Sequence, residues 1–130
     1  MPNPFKMILG IGIDILNIER MRGVLETDSG SFVSKVFTVK EREQVSDHPD
    51  PVAYFATRFA GKEAVFKCFG IDGSGIRLSE IEIGGAETEQ PQVRLWGKFR
   101  EIAAAKGIKD IQISLSYDTD YAVAFAIAQG

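Results

Sequence analysis

Along residues 7–15 every second position is a large aliphatic: Leu9, Ile11, Ile13 and Ile15 share one face of an extended segment, the period-two pattern of a strand. The alternate face holds Ile8, Gly10, Gly12 and Asp14. Two glycines at alternate positions clear that face of side chains, so another backbone or a ligand comes close there, and Asp14 stands at the end of the cleared lane. Asn17 offers an N-cap for a short amphipathic helix with Ile18, Met21, Val24 and Leu25 inward and Glu19, Arg20 and Arg22 outward. Residues 27–30 have turn composition, and Phe32, Val33, Val36 and Phe37 repeat at helical spacing. Thr38 with Glu41 three later forms a capping box for a helix running to about residue 46.

The longest helical signal follows a break at His48 and Pro49, with Asp50 as N-cap and Pro51 at the first helical position. At about 100° per residue, Val52, Phe55, Ala56, Phe59, Ala60 and Phe66 gather on one side, which is the expected core stripe. Glu63 and Lys67 project from the middle of that stripe, where a helix built only for packing carries Leu or Val. An acid followed four residues later by a base suits an ordinary intrahelical pair. Such pairs sit on the solvated face, however, and burying them costs roughly several kcal/mol per ion unless a metal or ligand compensates. Arg58 and Lys62, also four apart, carry like charges, which a helix tolerates best with an anion beside them; a phosphate would serve. Gly70 reads as the C-cap, and the run GIDGSG that it opens can end the helix or wrap a ligand.

Residues 78–83 and 92–96 read as strands joined through Gly84, Gly85 and a polar turn. Residues 98–106 form a helix with Phe99, Ile102 and Ala103 inward, ended by Gly107. Ile111, Ile113 and Leu115 then alternate with polar residues, 118–120 turns the chain, and Tyr121, Val123, Phe125 and Ile127 alternate with alanines, which predicts a hairpin. Helices early and hairpin-linked strands late favour an α+β fold, an antiparallel sheet against a long central helix. In the last strand neither face suits water. One face is expected to pack on the chain's own helices. The alanine face, small and flat, suits a neighbouring subunit, unless the alanine-rich helix over 98–106 covers it.

Composition narrows the class. With 130 residues, 45% apolar and 25% charged, the chain matches globular averages and has length for one domain over residues 1–130 rather than two. The lone Cys68 cannot make an internal disulfide and no run of eighteen apolar residues exists, so no membrane span is expected and the cytoplasm is the expected compartment. The first apolar run is interrupted by Asp14 and is not read as a signal peptide. A net charge of -3 speaks against nucleic acid as the main partner; Arg20 and Arg22 form a local basic pair that, taken alone, is a solvated face. His48 is the single histidine and reads as a loop residue, so neither a histidine metal cluster nor a Ser–His pair is supported.

With GIGIDI near the start, RFAGKEAVFKCFG over 58–70 and SLSYDTDYAVAFAI near the end, the chain resembles bacterial holo-acyl-carrier-protein synthases, the small class of 4'-phosphopantetheinyl transferases, over nearly its whole length. The motif pair that carries the resemblance is an acid after a glycine-bearing first strand, then F-x-x-K-E-A-x-x-K, met here by Phe59, Lys62, Glu63, Ala64 and Lys67. The resemblance implies the fold of that family and an enzyme that moves the phosphopantetheine arm of coenzyme A to a serine of apo acyl carrier protein. Adenosine 3',5'-bisphosphate is left behind, Mg²⁺ is required, and the pathway served is fatty acid biosynthesis. It places the Mg²⁺ ligands on Asp14 and Glu63 and gives Lys67 the charge of the attacked β-phosphate. Arg58 and Lys62 become candidates for other coenzyme A phosphates or for holding the carboxylates. Gly70 and Tyr117 join the coenzyme A contacts, Arg20 and Arg22 face the acidic helix of the carrier protein, and the active site lies between subunits of a homotrimer. The nucleophile belongs to the carrier, which fits the lack of an activated Ser, Cys or His here; Glu63 or a water held by the metal would take the serine proton.

Two stretches depart from the family pattern. Tyr117 follows Ser114, Leu115 and Ser116 where many relatives have histidine, so that histidine's role on a coenzyme A phosphate does not carry over, although a tyrosine hydroxyl can supply one hydrogen bond. Glu89, Gln90 and Pro91 stand where relatives often have G-K-P, which puts adenine contacts there in question. Ile15 and Leu16 follow Asp14 without the second acid of the larger, monomeric transferases, which keeps the chain in the small class. The rival readings are a non-catalytic module that binds coenzyme A or a nucleotide, against which Asp14 and Glu63 argue, and a Mg²⁺-dependent phosphohydrolase using water.

Overall fold

The structure is a computed structural model and describes residues 7–28, 30–85 and 90–130. In chain order the elements are β1 (Ile8–Asn17), α1 (Ile18–Thr27), α2 (Ser31–Val36), α3 (Val39–Gln44), α4 (Pro51–Phe69), β2 (Ile81–Gly84), β3 (Gln92–Leu95), α5 (Gly97–Lys106), β4 (Asp110–Tyr117) and β5 (Tyr121–Gln129), with single 3-10 turns at Val45–Asp47 and Leu78–Glu80. The larger sheet is antiparallel in the order β1-β5-β4, and β2 pairs antiparallel with β3 in a second, two-stranded sheet. The fold is α+β, as the order of helical and alternating patterns predicts.

Local signals set the element boundaries. The Asn17 side chain accepts the Arg20 N–H at 3.1 Å, and Thr38 and Glu41 form the reciprocal capping box. Asp50 accepts the Ala53 N–H at 3.1 Å ahead of Pro51, and Gly70 closes α4 with φ +60, where a residue with a Cβ is strained. Each cap satisfies a backbone group the helix cannot, worth about 1 kcal/mol at an N-cap.

The cleared lane of β1 is where α4 lies down. A Cβ added to Gly12 would stand 1.9 Å from the Ala64 carbonyl oxygen, and one added to Gly10 would stand 2.0 Å from that of Cys68, so the glycines exist to admit helix backbone. The pairing register extends the lane sideways: Gly10 lies opposite Ala128, Gly12 opposite Ala126 and Asp14 opposite Ala124. Ala122, Ala124, Ala126 and Ala128 are all fully buried, in cores shared with Ala56, Ala60, Ala64 and Cys68 of α4.

Two expectations are corrected here. The alanine face of the last strand is covered by the chain's own α4, neither by a neighbouring subunit nor by α5, because small residues on both sides let the helix and sheet approach closely. The face left in solvent is the opposite one, with Ile11, Ile13, Ile15, Tyr121 and Phe125 all exposed. Secondly, α4 has no single core stripe. It is enclosed by the sheet, by α1 and by β2, so Ala53, Tyr54, Thr57, Arg58, Gly61, Lys62, Val65 and Phe69 are buried as well, while Val52, Phe55, Phe59 and Phe66 are only partly so. The helix that follows Thr38 is also shorter than expected, giving way to the 3-10 turn at Val45.

Candidate active site

Asp14 ends the glycine lane of β1, and the lane delivers it to the turn of α4 that carries Glu63 and Lys67. The Lys67 ammonium donates to the Ile13 carbonyl at 2.9 Å and to Asp14 Oδ1 at 3.2 Å. The pair is open to solvent, with the Lys67 side chain 50% and the Asp14 side chain 18% exposed. Glu63 is half-buried beside it. Burial, and then the nearby charge of Asp14, raise the Glu63 carboxyl above the usual carboxylate range, with Lys67 pulling in the other direction. Two carboxylates pressing on each other beside one cation make a place short of positive charge. The expectation that Glu63 and Lys67 form a buried inward pair is therefore corrected. Both stand at an open edge of the helix–sheet contact, and the ion pair Lys67 makes is with Asp14.

The arrangement suits a hard divalent cation. Among the described residues no cluster of three or more His, Cys, Asp or Glu side chains is suited to hold a metal, which argues against an all-protein cage of the zinc or calcium kind. Mg²⁺ asks for less, since it binds through one or two carboxylates and keeps its remaining positions for water and substrate phosphate. Asp14 and Glu63 are the pair of carboxylates that could hold such an ion, and the charge of Asp14 is one of the two causes that raise the Glu63 carboxyl, after burial.

Arg58 and Lys62 leave α4 on the side away from the three-stranded sheet. Lys62 is fully buried, with its ammonium 2.7 Å from Glu41 Oε1, donating to the carbonyls of Leu78 and Ile81 and lying 5.5 Å from the centre of the Phe37 ring. Burial lowers its pKa and Glu41 opposes that shift. Direct contact with a coenzyme A phosphate is thus corrected for Lys62: all three of its protons have acceptors inside the protein, and the carboxylate it holds is Glu41 rather than Asp14 or Glu63. Arg58 is also buried, stacked 4.5 Å over the Tyr54 ring and donating to the Gly85 carbonyl at 2.8 Å. Its Nε has no partner among the described residues, and desolvation lowers its pKa.

Elsewhere the structure spreads the candidates out. Gly70 lies exposed just beyond Lys67, its N–H donating to the Lys67 carbonyl at 3.3 Å. Tyr117 ends β4 with its ring centroid 5.7 Å from that of His48. His48 is the loop residue expected, and it is buried: it also packs on Tyr54 at 5.8 Å and accepts the Asp50 N–H on Nδ1. Arg20 is exposed and Arg22 partly exposed on α1, Arg22 paired with Glu19 at 3.0 Å. Glu89, part of the turn that departs from G-K-P, lies outside the described residues. Beside that turn, Lys40, Gln44, Glu82, Gly85, Gln90 and Arg94 line a polar cleft of about 200 Å³.

Glu41 is the residue that sequence reasoning undervalued. Its place in a capping box accounts fully for an acid at that position, so nothing in the local pattern asks for a second role. In the fold one oxygen accepts from Thr38 N–H at 2.8 Å while bonding Lys62, and the other accepts from Ile83 N–H at 2.8 Å.

The family model described as the 4'-phosphopantetheinyl transferase superfamily matches residues 10–126. The holo-[acyl-carrier-protein] synthase of Desulforudis audaxviator (strain MP104C) is 40% identical over 124 residues, covering 95% of each chain. Among solved structures, the acyl carrier protein synthase of Plasmodium yoelii with ADP bound superposes with a TM-score of 0.86 at 31% identity, over 97% of this chain and 98% of that one. The holo-(acyl-carrier-protein) synthase from Bacillus anthracis str. Ames, in complex with CoA (3',5'-ADP), gives 0.76 at 25% identity, over 95% and 98%. Matched along nearly its whole length in sequence and in fold, the chain belongs to the 4'-phosphopantetheinyl transferase superfamily and, within it, to the holo-[acyl-carrier-protein] synthases.

Proposed function

We propose that this chain transfers the 4'-phosphopantetheine group of coenzyme A to a serine of an apo acyl carrier protein, releasing adenosine 3',5'-bisphosphate, and that it does so with Mg²⁺ in the cytoplasm, in service of fatty acid biosynthesis. The observation that carries the reading is the meeting of Asp14, Glu63 and Lys67 at the open end of the glycine lane. The names of the relatives point to the carrier and the Bacillus anthracis complex to coenzyme A.

The chemistry follows from the residues. The carrier's serine oxygen attacks the β-phosphorus of the coenzyme A pyrophosphate, and the bond from that phosphorus to the bridging oxygen breaks, leaving with the nucleotide. Asp14 and Glu63 would hold Mg²⁺, which neutralises charge on the pyrophosphate oxygens. Lys67, half in solvent, offsets charge on the attacked phosphate. Glu63 or a water held by the metal would take the proton of the serine hydroxyl. Gly70 with the loop after it and the Tyr117 hydroxyl are the remaining coenzyme A contacts, while Arg58, buried against Tyr54 and the Gly85 carbonyl, shapes the fold beside them.

Incubating the protein with coenzyme A, Mg²⁺ and an apo carrier protein, then measuring the carrier's mass, tests the function. A phosphopantetheine-sized gain that disappears when Mg²⁺ is chelated is expected; an unchanged mass with coenzyme A bound would leave only a binding module.

Arg20 and Arg22 are proposed to meet the acidic helix of the carrier. Arg22 already pairs with Glu19, so Arg20 offers the less compensated charge. Arg20→Glu should slow carrier association about tenfold at low salt while coenzyme A affinity stays unchanged, and salt should weaken the wild-type protein in the same sense. Unchanged carrier kinetics in that variant would reduce the patch to a solvated face.

A homotrimer with active sites between subunits is the assembly we propose. The exposed apolar face of the larger sheet, centred on Ile13 and Phe125, is the surface that fits it.

A further inference from the structure

Helix α4 meets the three-stranded sheet through Ala60, Ala64 and Cys68 on one side and glycines and alanines on the other. Contact between such small residues is close but smooth. It gives few knobs and holes to fix how far the helix slides or rotates, although Glu63 must come to bear on Asp14 from that same helix. On its far side α4 is held by the packing of Val65 and Phe69, and polar contacts on both flanks add direction to that packing. On the sheet side Lys67 is tied to the Ile13 carbonyl. On the far side Lys62, the immediate neighbour of Glu63, is held by Glu41 and by the carbonyls of Leu78 and Ile81. Glu41 in turn is fixed by Thr38 N–H and Ile83 N–H.

We propose that Glu41 and Lys62 are positioning residues for the carboxylate site. Their buried ion pair pins the rotation and height of α4, and through it the approach of Glu63 to Asp14. The inference rests on the two-carboxylate reading above and adds the device that aligns it. A buried ion pair is a weak stabiliser by itself, because well-packed apolar residues of similar volume in its place are often neutral or better for stability. A buried pair that reaches four backbone groups, at Thr38 and along residues 78–83, is placed to specify geometry.

The test separates alignment from stability. Coenzyme A binding is titrated calorimetrically with carrier protein absent, once in chelator and once with saturating Mg²⁺, for the wild type and for Glu41→Gln combined with Lys62→Met. The double variant leaves no unpaired buried charge. Its thermal midpoint is expected to fall, because Met leaves the Leu78 and Ile81 carbonyls without their donor. Its metal-free coenzyme A affinity is expected unchanged, while the gain in affinity that Mg²⁺ gives falls by about tenfold or more, the loss seen when groups behind metal ligands are removed. Glu41→Asp, which keeps both charges and shortens the pin by one methylene, guards against a double variant that fails to fold and should lose part of the same gain. A full Mg²⁺ gain in a folded double variant, or in Glu41→Asp, overturns the inference and leaves the proposed function standing. A wild-type protein with no Mg²⁺ gain overturns the two-carboxylate reading and this inference together.

Discussion

Asp14→Ala and Glu63→Ala are each expected to lower Mg²⁺-dependent transfer on the order of 10³-fold or more, with the fold retained. The two acids stand at an edge rather than in the core, and their interactions say what each loss does to stability. Asp14 gives up one ion pair with a half-exposed lysine, a contact worth about 0–1 kcal/mol. Glu63 works against the fold. Its carboxyl is raised by burial and by Asp14, so the folded state disfavours the ionised form that prevails at neutral pH, and removing it relieves that penalty. Glu63→Ala should therefore melt at or above the wild-type temperature while losing transfer, which circular dichroism and the carrier-mass assay read separately. A variant that keeps wild-type transfer rules out the metal assignment; loss of folding in both variants would return the acids to a structural role.

That pattern explains which parts of the protein were legible in its sequence. Caps and turns were, because Asn17, Thr38, Asp50 and Gly70 act on backbone within three residues of themselves. The glycine lane was legible as a place of close approach, since nothing else accounts for Gly10 and Gly12 in a strand. What covered the lane was not. Counting large residues as the core stripe of α4 pointed Glu63 and Lys67 inward, whereas a helix lying on glycine and alanine turns its smallest residues to the sheet and sends the aromatics to its flanks. The same logic decides the last strand: Tyr121 to Ile127 and the alanines both alternate cleanly, and only the register that sets Gly12 against Ala126 shows which face meets the helix. Lys62 and Glu41 were hidden for another reason. Their partnership spans separate segments, and each already had a sufficient local explanation, as a phosphate ligand and as a cap.

On the proposed assembly, Phe125→Glu is expected to give a monomer with little transfer activity. Phe125 is 41% exposed, and its cross-strand neighbour Ile13 is 60% exposed. Around them Ile11, Ile15 and Tyr121 are exposed on the same face, with Val123 and Ile127 between. A contiguous apolar face of this kind on a folded domain marks an interaction surface, and its position on the outer side of the sheet, behind α4 and the carboxylates, leaves the site's own residues untouched by the substitution. A glutamate at the centre of an interface between copies would put three carboxylates into a desolvated apolar contact in a trimer, a cost of several kcal/mol or more by the rough scale for unpaired buried charge. In a monomer the same residue would sit in water at no such cost, so the variant should fold, with a thermal midpoint that no longer rises with protein concentration. Light scattering after size exclusion reads the mass: a trimer for the wild type and a single chain for Phe125→Glu. Mixing Asp14→Ala with Arg20→Glu subunits then asks whether the site is shared. Recovery of activity on mixing is expected if one chain supplies the carboxylates and its neighbour the carrier contact, whereas a wild-type protein that runs as a monomer with full activity would rule out the assembly.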